Sequence, residues 1–204
     1  MNRTASASDA PPPKNASSFG RLVLVSEAVL ALLTWGLGRW SGVDWGAMLT
    51  PTAHGMGWGL LGGIGLVTLH LLVVVRGGTR NPLYRRIYVP LHRMVHPWAQ
   101  SASPGAVVGV ALVSGVVEEC FFRGWLQLET NVVVASLVFG AAHLWGREAL
   151  AYGAYVTAMG LGLGGLFAYT GQHLWAPGLA HVLNNLLGLL ALRYDWIRGP
   201  DRTD

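Results

Sequence analysis

Charged residues and cysteine are scarce in this chain of 204 residues: Asp, Glu, Lys and Arg make up 12% of it, and Cys120 is its single cysteine. One thiol excludes an intramolecular disulfide and any zinc or iron–sulfur site built from several cysteines. The apolar fraction is 52%, which together with so little charge is atypical of a soluble domain. The composition therefore predicts a membrane protein whose chemistry comes from Glu, His, Asn or Arg side chains, or from that one thiol.

Six mostly apolar windows of roughly bilayer-crossing length follow one another along the chain. They are 21–40, 57–75, 104–128, 131–145, 149–169 and 173–192, of which the fourth is short. The residues before them, 1–18, are polar, small and proline-containing, and this composition predicts a disordered tail. We therefore expect an all-α fold: a polytopic bundle of about six transmembrane helices, with residues 19–204 forming one domain.

A basic and aromatic segment, 76–103, separates the second window from the third. It is too charged to cross a bilayer and is typical of the cytoplasmic membrane interface. If it is cytoplasmic, twelve of the fourteen Lys and Arg residues fall on that side, and only Arg39 and Arg123 do not. This bias predicts both termini in the cytoplasm. The preference for Arg over Lys, with abundant Gly and Ala, favours a bacterial inner membrane, and the scattered positive charges do not indicate nucleic-acid binding.

Three ionisable residues interrupt the third window, in the segment GVVEECFFRGW: Glu118, Glu119 and Arg123. An ionisable group within a span costs about 2.5 to 3.5 kcal/mol on insertion scales, so such groups are the first candidates for function. On a helix Glu119 and Arg123 are four residues apart and share a face, whereas Glu118 points about 100° away. We therefore predict that Glu119 is held in an ion pair, while Glu118 is free to accept a proton.

Two later windows carry polar residues at the same four-residue spacing. Phe139 and His143 share a face in FGAAHLW, and His181 and Asn185 share a face in HVLNN. A polar group facing lipid would be unsatisfied, so these faces are expected to turn toward one another or toward a wet cavity. The sequence thus predicts that Glu118 meets both histidines within the bundle.

The ordered set Glu-Glu-x-x-x-Arg, Phe-x-x-x-His and His-x-x-x-Asn resembles the three-part signature of the CAAX-protease and bacteriocin-processing (CPBP) intramembrane endopeptidases. It is formed here by Glu118, Glu119, Arg123, Phe139, His143, His181 and Asn185. The resemblance covers residues 104–192, which would be the catalytic core. Each tetrad alone is weak evidence, whereas all three in order within apolar helices are specific.

The resemblance implies peptide-bond hydrolysis by an activated water, without an acyl-enzyme. Glu118 would be the general base, His143 would help to orient the water, and His181 and Asn185 would donate hydrogen bonds to the oxyanion. Glu119, Arg123 and Phe139 would have supporting roles. The implied partners are the lipid bilayer and a peptide or protein substrate with a membrane segment. The substrate classes of the resembling family include prenylated C-termini, bacteriocin leaders and C-terminal sorting tails of exported bacterial proteins, and of these we favour the sorting tail.

Other chemistries for the same residues stay open at this point. Glu118, His143 and His181 could bind zinc with a water in the fourth position, although there is no His-Glu-x-x-His helix, and we expect no cofactor. Cys120 points away from Glu118 by about 200° on a helix, so a buried apolar role is favoured over a nucleophilic one. Glu27 and His70 stand alone in the first two windows, where a structural bond or a side chain that snorkels to the interface is expected rather than catalysis.

Two other protein classes also use intramembrane Glu and His. A catalytically inactive family member could bind a partner, for instance as an immunity protein that sequesters a peptide toxin, but such a protein would be expected to show a broken motif. A small proton-coupled transporter would be expected to show paired repeats and interrupted helices. The intact motif favours the enzyme over both.

Overall fold

Helices account for all regular structure in the ranges that the computed structural model describes, residues 16–77 and 82–196. In chain order they are α1 Ala16–Ser41, α2 Trp45–Leu49, α3 Ala53–Gly77, α4 Pro82–Ser101, α5 Pro104–Phe121, a π-helical turn Phe122–Leu126, α6 Gln127–Glu129, α7 Val132–Ala142, a 3₁₀ turn Arg147–Ala149, α8 Leu150–Tyr169 and α9 Trp175–Arg193. Most of the predicted tail, residues 1–15, lies outside the described residues. Its last three residues form the first turn of α1.

Five of these helical segments are long and apolar enough to cross a bilayer. They are Ser18–Ser41, Ala53–Leu72, Pro104–Glu129, Arg147–Tyr169 and Trp175–Arg193. Each matches a window predicted from the sequence. Large apolar side chains cover their outward faces, as in the exposed leucines 22, 24, 32 and 33 of α1. The all-helical, polytopic fold expected from the sequence is confirmed.

The fourth predicted window, 131–145, is wrong as a full-length span. Its helix α7 has 11 residues, which at 1.5 Å per residue reach about 16 Å of a core about 30 Å thick. Asn131 caps its start by accepting hydrogen bonds from the amides of Val133 and Val134, and the backbone leaves the helical conformation at His143 (φ −96°, ψ 15°). Hydropathy alone does not show that the helix ends at Ala142. Including residues 143–145 still leaves the window apolar on average.

Glycines hold the short helix α7 against α8. A Cβ atom added at Gly160 would lie 3.1 Å from Phe139 and from Ser136, and one at Gly164 would meet Val132. The expectation that the glycine-rich segment 160–165 permits close helix packing therefore holds at these two positions. Gly162 and Gly165 of the same segment have open space instead.

The basic segment between the second and third windows folds into the amphipathic helix α4. One face of α4 is buried against α9 and the starts of α1 and α5. The side chains that α4 contributes to this core are Tyr84, Tyr88, Val95, Trp98 and Ala99. Arg85, Arg86 and Arg93 are exposed on the other side. Arg193, at the end of α9, donates to the carbonyls of Ala99 and Ala102, which fixes the end of α4. Helix α4 thus packs against one end of the bundle and is not one of the membrane-spanning helices.

Candidate active site

The two acids of α5 face different surroundings. Glu119 is fully buried, and its Oε1 accepts a hydrogen bond from Nη1 of Arg123 at 2.9 Å. The second guanidinium nitrogen of Arg123 donates to the carbonyl of Gly160 at 2.9 Å, so α8 completes the site of the cation. The ion pair expected from the four-residue spacing is therefore present. Arg123 lies in the π-helical turn that directly follows α5, a distortion often found near functional sites.

His181 of α9 joins the same ion pair. Its Nδ1 lies 2.7 Å from Oε1 of Glu119, and because an ionised carboxylate can only accept, Nδ1 must carry the hydrogen. The other ring nitrogen, Nε2, lies 3.9 Å from Oε2 of Glu118. Glu119 therefore fixes the orientation of His181 and directs Nε2 toward Glu118. The sequence predicted both residues for the site but not this hydrogen bond between them.

Glu118 has no cation on its own helix and faces a cavity of about 490 Å³. The side chain is 13% exposed, against 1% for that of Glu119. The cavity is also lined by His143, His181 and Asn185. The four residues predicted to be catalytic, which come from three separate segments of the chain, are thus brought together around one space.

His143 lies where α7 ends, and its orientation follows from one hydrogen bond. Its Nδ1 lies 2.8 Å from the carbonyl oxygen of Phe139, and since a carbonyl only accepts, Nδ1 is the donor. Nε2 of the neutral ring is then left as an acceptor. The ring of Phe139 packs edge-on against both histidines, with centroid distances of 4.9 Å to His143 and 5.7 Å to His181. Phe139 therefore separates the two imidazoles and holds both in place.

Asn185 is positioned by a residue that the sequence analysis missed. Its Nδ2 donates to Oγ of Ser114 at 3.1 Å, and that hydroxyl donates to the carbonyl of Val110 at 2.8 Å. Ser114 also lines the cavity. A signal for it was present, because Ser114 precedes Glu118 by four residues and shares its helix face.

Residues 100–187 match the model of a protein family described as type II CAAX prenyl endopeptidase, Rce1-like. The matched segment contains all seven residues of the predicted signature. This segment is therefore similar to the Rce1-like (CPBP) family. No curated protein and no solved structure matches the chain.

The match of residues 100–187 to the Rce1-like family model and the five apolar helices agree on the class of protein. The chain is a multi-pass membrane protein and a hydrolase, an intramembrane protease of the CAAX type. Its partners accordingly include a peptide or protein substrate.

Two other features concern the chemistry of this site. Cys120 packs beside the apolar cluster of Met48, Phe167 and Leu174 and does not line the cavity, so its thiol is away from the four predicted catalytic residues. No three His, Cys, Asp or Glu side chains in the described ranges are grouped so as to hold a metal ion. Zinc-free hydrolysis stays a prediction.

A second missed residue is Glu27 of α1, for which the sequence predicted an isolated structural role. It is buried, lines the same cavity and lies within hydrogen-bonding reach of Glu118. No pattern in the sequence relates these two residues, because they are 91 positions apart and Glu27 lies outside the three-part signature.

Proposed function

We propose that the chain is a glutamate-dependent intramembrane endopeptidase that hydrolyses a peptide bond of a membrane-inserted or membrane-adjacent substrate by activated water. The observation that supports this most is the convergence of Glu118, His143, His181 and Asn185 around one cavity. Among the two acids of α5, only Glu118 faces that cavity without an arginine partner, as a general base requires.

The proposed first step activates the water. Glu118 takes one proton from a water molecule, whose oxygen attacks the carbonyl carbon of the scissile bond. Nε2 of His143, fixed as an acceptor by the bond from Nδ1 to Phe139, orients the second hydrogen of that water.

The second step places negative charge on the substrate carbonyl oxygen. Asn185 keeps a second amide hydrogen besides the one that Ser114 accepts, so it can donate to this oxyanion. His181 can donate through Nε2 only as an imidazolium, because Nδ1 already donates to Glu119. Two preorganised donors in a site shielded from water typically contribute several kcal/mol to catalysis. When the carbon–nitrogen bond breaks, the leaving nitrogen takes up one proton.

We propose the C-terminal sorting tail of exported proteins as the substrate segment. The end of the cavity nearest α4 is lined by apolar side chains of α1 and α4, namely Phe19, Val23, Leu91, Met94 and Val95. Such a surface suits the apolar part of a membrane-anchored tail. We further propose a bacterial inner membrane with both termini in the cytoplasm, which the charge bias of the loops supports.

The test compares native-host cells that carry chromosomal Glu118→Gln, wild type, or the control Glu129→Gln, which changes an exposed acid. Mass spectrometry of the termini of membrane and secreted proteins is the readout. We expect a set of proteins with extended C-termini in Glu118→Gln alone, because loss of the base lowers cleavage by at least about a thousandfold.

Each other outcome has a distinct meaning. Extended N-termini would replace the sorting tail with a leader peptide as substrate. Unchanged termini, with Glu118→Gln present at the normal level, would overturn the protease proposal and favour a partner-binding protein. Loss of processing in membranes of wild-type cells treated with a zinc chelator, restored by added zinc, would contradict the metal-free mechanism.

A further inference from the structure

Glu27 is an unusual residue for its position in α1. The neighbouring turns of this helix present apolar side chains to the cavity or to the outside, including Val23 and Leu30, which line the cavity with it. Glu27 is nevertheless only 6% exposed. A buried acid within a span is costly unless it has a partner or a function.

The side chain that Glu27 meets is another acid, Glu118. The two carboxyl groups lie within hydrogen-bonding reach. The buried Oε2 atoms of both have no other hydrogen-bond partner among the described residues. The charge of Arg123 is already paired with Glu119, and no ion pair joins Arg123 to Glu27 or Glu118 among the described residues. Of the described residues that line the cavity, Glu27 and Glu118 are the only carboxylic acids.

Two carboxylates in contact repel each other, whereas one carboxylate and one carboxylic acid form a strong hydrogen bond. The other ionisable side chains that line the cavity are His70, Tyr88, His143, Tyr152, Tyr155 and His181. With His181 as the imidazolium, one shared proton balances the charges of the site: Arg123 with Glu119, His181 with Glu118, and a neutral Glu27.

We propose that Glu27 is a second catalytic carboxyl group, which shares one proton with Glu118 and gives that proton to the leaving nitrogen. This inference rests on the proposed function. It gives the two acids opposite tasks: Glu118 is the base and Glu27 is the acid. In other hydrolases, too, two carboxyl groups in different environments divide these tasks between them.

The proton balance of the cycle is complete with these two residues. Glu118 begins ionised and takes a proton from the water, whose oxygen bonds to the carbonyl carbon. Glu27 begins protonated and gives its proton to the amide nitrogen as the carbon–nitrogen bond breaks. The products are a new carboxyl terminus and a new amine. The proton on Glu118 then passes to Glu27 along their hydrogen bond, which restores the starting state.

The first test measures the shared proton without a substrate. Infrared spectroscopy of the purified protein at neutral pH, with Glu carrying ¹³C in its side chain, distinguishes protonated carboxyl groups from carboxylates. Exposed acids are ionised at this pH. We expect a protonated-carboxyl band in wild type and in Glu129→Gln, and its loss in Glu27→Gln. A wild-type spectrum without that band, or a band that persists unchanged in Glu27→Gln, would overturn the shared proton.

The second test measures processing in the native host, on the same set of termini that Glu118→Gln alters. Glu27→Gln keeps the size and a hydrogen bond but cannot donate a carboxyl proton, so we expect precursors to be cleaved about a hundredfold more slowly. Glu27→Asp keeps the acid and should recover part of the rate. Equal rates in Glu27→Gln and Glu27→Asp, or a normal rate in Glu27→Gln, would overturn the inference.

The two proposals fail in distinguishable ways. If Glu118→Gln changes no terminus, the protease proposal itself fails. If Glu118→Gln blocks processing while Glu27→Gln is as fast as wild type, only the role of Glu27 fails. Thermal unfolding of purified Glu27→Gln gives the check on folding, and we expect it to be at least as stable as wild type because a buried acid is removed.

Discussion

The two faces of α5 that carry acids differ in how their charge is compensated. On one face, Glu119 accepts hydrogen bonds from Arg123 and His181 and is fully enclosed. On the other, Glu118 meets the acid Glu27, lies 3.9 Å from an imidazole nitrogen and opens onto a cavity. Two neighbouring residues of one type thus have separate tasks. A carboxylate that is ion-paired with an arginine on its own helix is held in a structural role, whereas one without such a cation is left able to accept a proton.

The largest effect on folding is expected on the Glu119 face. Glu119→Gln leaves the guanidinium of Arg123 buried without its carboxylate, which should lower the free energy of unfolding by about 3 to 5 kcal/mol. Glu118→Gln should leave it within about 1 kcal/mol of wild type. Chemical unfolding of both variants in the same detergent measures the difference.

A double variant sharpens this prediction. Glu119→Leu combined with Arg123→Met removes the whole ion pair and should recover much of the stability. It should not recover processing, because His181 has lost the carboxylate that orients it. Equal unfolding free energies for Glu118→Gln and Glu119→Gln would contradict the division between the two faces.

A smaller effect, on the rate of processing and not on stability, is expected when Asn185 is changed, because its amide faces the cavity. Asn185→Ala removes one proposed oxyanion donor and should lower the rate of processing by about 10²- to 10³-fold. Ser114→Ala removes only the hydroxyl that positions this amide, and a loss of about tenfold is expected, as for one ordinary hydrogen bond. Pulse-chase measurement of precursor cleavage gives both rates. A larger loss in Ser114→Ala than in Asn185→Ala would exchange their roles.

The smallest effect is expected at Cys120, which lies between the acids and Phe121 in the sequence but outside the cavity. Cys120→Ala should leave the rate of processing unchanged within about twofold, and wild type should resist inhibition by a thiol-directed reagent. The rate of processing is measured in matched strains that carry wild type or Cys120→Ala, with and without the reagent. Inhibition that is present in wild type and absent in the variant would bring the thiol into the mechanism.

Much of the site followed from helical geometry applied to the sequence. The spacing of Glu119 and Arg123 predicted their ion pair, and the step of about 100° to Glu118 predicted that it would face elsewhere. Burial in an apolar environment made His143 and His181 candidates for convergence. Their convergence around one cavity depends on how α5, α7 and α9 pack together. That packing cannot be read from the sequence of any one helix.

The features that the sequence did not predict correctly also have physical reasons. The length of α7 was overestimated because hydropathy averages over a window and does not sense the backbone leaving the helix at His143. Ser114 could have been found from its position four residues before Glu118. Glu27 could not, because its significance depends on α1 lying against α5, and a lone acid in an apolar helix carries no mark of which helix it will face.

The sequence by itself determined the membrane class, the helical fold, the order of the polar tetrads and the pairing of Glu119 with Arg123. These follow from composition and from contacts within one helix, for which the separation along the chain fixes the geometry. The tertiary structure alone decided that His181 is oriented by Glu119, that Ser114 holds Asn185 and that Glu27 meets Glu118. Each of these is a contact between helices, and its geometry depends on how the helices pack against one another.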